Sequence, residues 1–365
     1  MNKFTLILKI FQCNIHRYLH FFRPFPFVLT LYITNMCNSL CKHCNIGRVY
    51  LNNPEIVKNE LSIEEYSKIA NKIGRNKVFW INISGGEPFM REDFDRIIVT
   101  LINKLKPNII TISTNGTLPQ KVKKDLIYIF KNCKCKLKVI VNISLDAIGK
   151  EHDELRGFKG NFKLAIQTLN VLKQLKREYN NLYFGTNTLI TIFNIDKIPQ
   201  ILNFIKRKLK LDNYAFEIVE QRFIFHNYDL KIKPSHEKIS EILKYLMKEE
   251  KIIRSIKEDN TTKLRKILRF FYYNFLYNGK KSLNPLLSNV YILPRGEVAL
   301  SQTFNSVVGN LRNYDYDLKK ILSNKKTQIT YNSLVKDYFT TSVNEFYINF
   351  ICELQNVLRV LSQQL

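Results

Sequence analysis

The sequence predicts an α/β fold built on a parallel sheet. Short apolar, β-rich runs recur at residues 27–33, 78–84, 108–113, 139–145, 182–190 and 214–220. Helical patterns fill the gaps near 62–75, 91–105, 118–131, 161–177 and 196–209. Strands that alternate with helices pair in parallel, because each crossover returns the chain to the same end of the sheet. Glycines and polar residues also collect just past the ends of the apolar runs, so one rim of the sheet gathers the chemistry.

In chain order, the run at 27–33 leads into Thr34-Asn35-Met36-Cys37-Asn38-Ser39-Leu40-Cys41-Lys42-His43-Cys44. Ser62 with Glu65 makes a capping box at the first long helix. The second run ends in Ser84-Gly85-Gly86-Glu87-Pro88, where the glycines remove side chains at a point of close backbone approach. Thr114-Asn115-Gly116-Thr117 turns the chain after the third run, and Pro119 suits the first turn of the next helix. Ser144 and Asp146 end the fourth run, Asn187 lies on the fifth, and Glu220 ends the sixth. Past residue 226 the pattern changes. Residues 236–279 read as one or two basic, aromatic-rich helices, and 289–300 as a β-hairpin with its turn at Pro294-Arg295-Gly296-Glu297. Further helical patterns lie near 316–323 and 344–361. The expected parts are an N-terminal amphipathic helical segment at 1–26, the main α/β unit at 27–225 and a smaller α+β extension at 226–365.

Cys37, Cys41 and Cys44 are spaced C-x3-C-x2-C. Iron–sulfur clusters are normally held by four thiolates, so three leave one iron of a 4Fe–4S cluster open to a small ligand. Zinc is the competing reading, with His43 as fourth ligand. His43 adjoins Cys44, however, and two neighbouring side chains close poorly on one ion. A chance grouping in a core loop is the other alternative. Cys133 and Cys135 form C-x-C before the fourth run, away from the chemical rim, and read as incidental. Cys13 and Cys352 lie in apolar helical runs and read as core residues.

The cysteine spacing and the Ser84-Gly85-Gly86-Glu87-Pro88 segment resemble the radical S-adenosylmethionine (radical SAM) enzymes, strongly over residues 27–225. The resemblance implies a partial (β/α)6 TIM-like barrel with its chemistry at the C-terminal ends of the strands. It implies one 4Fe–4S cluster on Cys37, Cys41 and Cys44, with S-adenosylmethionine on the fourth iron. Reductive cleavage then yields methionine and a 5′-deoxyadenosyl radical. Gly85, Gly86, Glu87 and Pro88 would steady the cofactor, Glu87 by accepting from its ammonium group. His43 holds the position usually aromatic in the family. Asn142 to Ala147 and His152 to Gly157 resemble the fourth-strand segment of peptide- and cofactor-modifying members. That places Ser144, Asp146 and Arg156 near cofactor or substrate, against the plainer readings of a helix cap and a surface ion pair. Asn115 is a turn residue or a polar group near the cofactor. Glu217, Glu220 and Arg222 are unassigned. One strand face carries Glu217 and the other Glu220 with Arg222, and Glu220 is the candidate catalytic acid beside Asp146.

The stretch Val290 to Arg312 resembles a SPASM or twitch extension that has lost its cysteines. Ser301 stands near one expected position, and Tyr338 to Asn344 replace a cysteine-rich knot. The extension would then keep its fold without auxiliary clusters, which favours redox-neutral chemistry or an external acceptor. The implied partners are a low-potential donor of flavodoxin or ferredoxin type and a peptide or protein side chain as substrate. A lipid- or glycan-linked small molecule is the alternative substrate, and a non-catalytic iron–sulfur or zinc protein the alternative class.

Composition sets the remaining bounds. The chain has 365 residues, 45% hydrophobic and 24% charged, which are globular values. Seven cysteines, an odd count, argue for a reducing, cytoplasmic setting and against a disulfide scaffold. The net charge of +26 is spread along a Lys-rich chain, which favours a solvated surface over specific nucleic-acid binding. Residues 4–21 can form a basic helix with Phe4, Ile7, Ile10 and Phe11 on one side. Packing on the barrel is the expectation for it, and peripheral membrane contact the disfavoured alternative.

Overall fold

The computed structural model describes residues 25–133, 137–251, 260–278, 289–302 and 306–337. The readings made for residues 4–21, Cys13, Cys135, Tyr338 to Asn344, the helix near 344–361 and Cys352 lie outside these.

Strand β1 (Val28–Tyr32) is followed by the short helix α1 (Ile46–Asn52) and by α2 (Ile63–Ile73). Then β2 (Trp80–Ser84), α3 (Phe94–Leu105), β3 (Ile109–Thr114), α4 (Pro119–Asn132) and β4 (Lys138–Ser144) alternate. Two helices, α5 (Lys150–Arg156) and α6 (Asn161–Glu178), precede β5 (Leu182–Ile190). Helix α7 (Ile198–Phe204) runs on as a π turn (Ile205–Leu209) before β6 (Asn213–Ile218). The expected capping box is present: Ser62 Oγ accepts from Glu65 N, and Ser62 N donates to Glu65.

The described strands form one open sheet in the order β6-β5-β4-β3-β2-β1-β7-β8-β9. Strands β1 to β6 are parallel. Their alternation sets the two faces. Leu29 and Leu31 of β1 enter the core beneath the helices, while Thr30 and Tyr32 face a cavity. Asn82 and Ser84 do the same on β2. The helices supply amphipathic faces to the outer core, as with the buried Ile97, Ile98 and Leu101 of α3.

Residues 236–279 resolve into two helices, α8 (His236–Lys251) and α9 (Asn260–Tyr277). They pack on α7 and β6 in a second core that includes Leu243, Leu246, Tyr272 and Tyr273. Arg269 Nε donates to Glu250 at 3.0 Å in a pair that is almost fully buried.

The expected hairpin is formed by β7 (Asn289–Ile292) and β8 (Glu297–Ala299), and a further strand, β9 (Val307–Asn310), pairs with β8. Strand β7 pairs in parallel with β1, from Val28↔Asn289 to Leu31↔Ile292. The extension therefore continues the barrel sheet and adds its own wall to the cavity. Helices α10 (Leu318–Leu322) and α11 (Lys325–Asp337) follow.

A polar clamp fixes the extension to α2. Arg312 Nε and Nη2 donate to the two Glu65 oxygens at 2.6 and 2.9 Å, and Tyr316 Oη donates to the same carboxylate. These bonds, led by the one from Arg312, hold the Glu65 carboxyl down to about 2. A depressed carboxyl stabilises the fold above its unfolded value, near 4.3, and loses that contribution as pH falls toward 2. Arg312→Ala is expected to lower stability by about 1 kcal/mol or less at pH 7, since the pair is partly exposed. Denaturant melts should show the deficit shrinking below pH 4 and vanishing near pH 2.

Candidate functional site

A cavity of about 210 Å³ opens at the C-terminal ends of the strands. Strands β1 to β7 each contribute to its wall: Tyr32 from β1, Ser84 from β2, Thr114 from β3, Ser144 from β4, Asn187 from β5, Glu217 from β6 and Asn289 from β7. Cys37, Cys41 and Cys44 all line it, with His43, Gly85, Gly86, Asn115, Asp146 and Arg156. Most residues chosen from the sequence thus meet in one space.

The cysteine loop is held from several sides. Gly86 N donates to Thr34 O at 2.8 Å and Glu87 N to Met36 O at 2.6 Å. Lys42 N donates to Leu155 O at 2.9 Å, and Asn227 Nδ2 to His43 O at 2.8 Å. Asn115 Nδ2 donates to Asn38 Oδ1 at 2.8 Å and Ser39 Oγ at 3.1 Å. Closely packed glycines make the grip possible. A Cβ on Gly86 would stand 2.0 Å from Met36 O, and one on Gly157, where φ is +59°, would stand 2.3 Å from Leu40 O. Gly86→Ala is expected to displace the loop and reduce iron loading at least tenfold. Unfolding measured by circular dichroism should remain cooperative. Unchanged iron content would show that the loop accommodates the methyl group.

Burial pushes the Cys37 and Cys44 thiols up to about 12, and neighbouring Cys41 adds to both shifts. The Cys41 thiol is raised by burial as well. All three are protonated at neutral pH in the metal-free chain, so a bound metal must release those protons. Burial also lowers the His43 imidazole to about 4, leaving it neutral. Among the described residues, no three His, Cys, Asp or Glu side chains converge on a single ion. Three thiols spread around one cavity fit a multi-iron group better than one tetrahedral zinc.

The wall carries unmatched polar atoms of both kinds. Arg156 Nε has no protein acceptor, and Asn82 Oδ1 and Asn187 Oδ1 have no donor. A ligand bearing both an acceptor such as a carboxylate and donors such as ammonium or hydroxyl groups would satisfy them.

Arg156 Nη1 donates to Asp146 Oδ2 at 3.0 Å, so this is a buried pair and not a surface one. Asp146 Oδ1 accepts from Leu189 N at 2.9 Å. Asp146 N donates to His152 Nδ1 at 3.2 Å, which fixes Nε2 as the protonated nitrogen facing Asn161 Oδ1 at 3.0 Å.

Two of the acids chosen from the sequence stand off the wall. The Glu87 carboxylate is fully buried behind it. Its oxygens accept from Thr114 Oγ1 at 2.8 Å, Asn115 N at 2.7 Å and Phe89 N at 3.2 Å. Glu87 ties the loop after β2 to the loop after β3, and the buried Pro88 begins a 3-10 turn behind it. The glycine backbone, not the acid, reaches the cavity. The second is Glu220, which lies off the wall and pairs with Arg222 at 3.2 Å. Glu217 lines the cavity in its place and accepts from Asn187 Nδ2 at 2.9 Å. Arg222 lines it too, and its Nη1 donates to Gln302 Oε1 of the extension at 2.6 Å.

Sequence reasoning missed Thr30, Asn82, Asn289 and Gln302 in the wall, and Gly157 behind the loop. A polar residue inside an apolar run was the available signal for Thr30 and Asn82.

Comparison with known proteins agrees with this geometry. Residues 31–205 match the family model described as the Radical SAM superfamily. The chain is 34% identical over 150 residues to the antilisterial bacteriocin subtilosin biosynthesis protein AlbA of Bacillus subtilis (strain 168), covering 41% of this chain and 31% of that protein. It is 31% identical over 151 residues to the sporulation killing factor maturation protein SkfB of the same organism, covering 41% and 33%. The matched segment thus spans about a third of the length of these curated relatives. In fold, the chain is similar to Streptococcus suis SuiB bound to the precursor peptide SuiA, with TM-score 0.58, 17% identity and coverage of 97% and 79%. It is also similar to anSMEcpe with bound AdoMet and Kp18Cys peptide, with TM-score 0.59, 16% identity and coverage of 86% and 84%. Residues 31–205 are a radical SAM domain.

Proposed function

We propose that this chain is an enzyme that holds one 4Fe–4S cluster through Cys37, Cys41 and Cys44 and binds S-adenosylmethionine at the remaining iron. It uses them to abstract hydrogen from a peptide or protein side chain. One observation carries this reading: the three thiols, the Gly85-Gly86 backbone and the unmatched Arg156 Nε line the same cavity. When bound, the cluster and cofactor supply one-electron cleavage of the sulfonium, ending in methionine and 5′-deoxyadenosine.

The protein's own part is binding, orientation and exclusion of water. Gly85 and Gly86 expose main chain where a side chain would block the ligand. Arg156 offers Nε to a carboxylate, and Ser144 and Asn187 face a hydroxyl-bearing group. Asp146 orients Arg156 and is not itself the proton carrier. Glu217 and Arg222, at the seam with the extension, are placed to hold the substrate. Glu220 positions Arg222. Reduced thiols suit a reducing compartment such as the cytoplasm. Among the described residues no helix is long and apolar enough to cross a membrane. The names of AlbA and SkfB, which refer to bacteriocin biosynthesis and killing-factor maturation, support a peptide substrate.

The test is anaerobic reconstitution followed by iron analysis and assay. About four irons per chain are expected, with 5′-deoxyadenosine released from S-adenosylmethionine on addition of dithionite. A short peptide encoded beside the gene should change mass when included. Tight zinc binding with no deoxyadenosine would overturn the enzyme reading. Turnover only with a small molecule would overturn the peptide assignment alone.

A further inference from the structure

A second chamber, of about 200 Å³, opens beside the main cavity, between the cysteine loop and the extension. Tyr32, Ile46 and Gly85 line both spaces, so a single layer of residues divides them. That layer is thin at Gly85, where a Cβ would stand 2.6 Å from Thr34 O.

The wall of the second chamber is mostly apolar. Ile56 comes from the 3-10 turn Pro54–Val57, Phe223 and Ile224 from the turn after β6, Leu293 and Pro294 from the hairpin, and Val307 from β9. Ile56, Phe223, Leu293 and Val307 are each half-buried, and all four line this one space. Their uncovered surface is what an apolar ligand would shield from water. Arg295 and Glu297 also line it, as an ion pair 3.7 Å apart whose opposite charges leave no net sign. Asn35 adds a carboxamide, a group that pairs with a peptide bond.

The walls are fixed before a ligand arrives. Leu61 N donates to Pro294 O at 2.7 Å, which holds the hairpin turn. Asn45 N donates to Phe225 O at 2.9 Å and Asn45 Nδ2 to His226 O at 2.6 Å, which hold the turn after β6 against the cysteine loop. A preformed site needs little ordering on binding.

We propose that this chamber seats a large apolar side chain of the peptide substrate, of leucine or phenylalanine size, one or two residues from the side chain that reacts. The proposal rests on the peptide reading above and names the neighbour that such a peptide carries. An apolar cavity of about 150 Å³ admits benzene, so this chamber has room for such a side chain. Residues of an extended chain follow one another at about 3.3 Å and alternate in direction. A chain lying over the layer of Tyr32 and Gly85 therefore drops nearby side chains into both spaces. A carboxylate in the chamber would give up its water to an apolar wall.

The experiment irradiates the full chain with N-acetyl-L-photoleucine N-methylamide, a diazirine probe, and maps the adducts by mass spectrometry. Labelling should fall on Ile56, Phe223, Leu293 or Val307. Excess N-acetyl-L-leucine N-methylamide should reduce it at least fivefold, and the aspartate analogue less than twofold. Ile56→Trp and Val307→Trp fill the chamber, one from the barrel and one from the extension, and each should reduce labelling at least fivefold. Ile329→Trp, at an exposed site on α11, should leave it unchanged. Each variant is first checked for a cooperative melt, and the two fillers stand in for each other if one fails. With the reconstituted chain and the peptide encoded beside the gene, both fillers should raise KM for the peptide at least tenfold and keep kcat within about threefold. Labelling that is scattered, equally competed by the aspartate analogue or indifferent to both fillers would overturn the proposal. Labelling as expected with an unchanged KM would overturn the substrate role of the chamber. The labelling needs neither iron nor turnover. Labelling as expected with no 5′-deoxyadenosine formed would therefore sink the enzyme reading, and the substrate role with it.

Discussion

A chain in which Cys37, Cys41 and Cys44 are all alanine is expected to hold no iron after reconstitution and to release no 5′-deoxyadenosine. The thiols are the soft donors that line the cavity, and burial leaves each protonated until metal arrives. Loading of the native chain should therefore release protons and weaken as pH falls. Each single alanine variant should lose most of its iron, because two remaining thiols cannot replace the third. Cys133→Ala is the internal control. Cys133 follows α4, half-buried against the outer core, and takes no part in the cavity. Its loss should leave the iron count unchanged. The triple variant should still melt cooperatively, because the loop keeps its main-chain bonds to Leu155 and to Gly86 and Glu87. Iron retained by the triple variant, measured by colorimetric assay, would show that the metal lies elsewhere.

The strands were legible because a parallel sheet is covered on its outer face and enclosed on its inner one, so its runs are nearly continuous in apolar residues. Helices such as α2 announced themselves by caps and spacing. The short helices α1 and α5 were not legible, since seven residues give too little periodicity to stand out. Strand β9 was missed for the same reason. The pairing of β7 with β1 left no local mark at all. A hairpin reads as a hairpin whichever sheet it joins, and the choice of neighbour is made by tertiary packing.

The candidate site was legible where chemistry forces a spacing, as in the three cysteines, and where geometry forces a residue type, as in Gly86. It was less legible for acids. Strand alternation gave two sets, Glu217 or Glu220 with Arg222, but could not choose between them. In the structure β6 ends at Ile218, and Val219 is buried. The chain then leaves the extended path, so Glu217 and Arg222 share the cavity although alternation set them apart. Glu87 was ambiguous for a different reason: an acid beside two glycines can face a ligand or brace the loop. The donors from Thr114 and Asn115 show it bracing the loop.

Arg156→Met is expected to cost about 3–5 kcal/mol, the loss found when one partner of a buried ion pair is removed. Burial, the largest single influence, would raise the Asp146 carboxyl, but the Arg156 guanidinium together with His43, His152 and the Leu189 N–H holds the group below the usual carboxylate range. Without Arg156, Asp146 is a stranded charge at 3% side-chain exposure. The deficit should therefore be largest at pH 7 and shrink as pH falls and the carboxyl takes up a proton. The double variant Asp146→Asn with Arg156→Met removes both charges and should recover part of the stability, read from denaturant melts. Its activity separates two roles for the arginine. If Arg156 serves only to neutralise Asp146, deoxyadenosine formation should return with stability. If it holds the cofactor, stability should return without activity, and the apparent Kd for S-adenosylmethionine should stay weakened at least tenfold. The second outcome is expected, because Nε of Arg156 has no protein partner and the side chain lines the cavity beside Cys41. Its guanidinium also favours the ionised thiols of Cys37 and Cys41, whose own values it pulls down against burial. The double variant should for that reason load iron more slowly than the native chain, even where its fold is as stable.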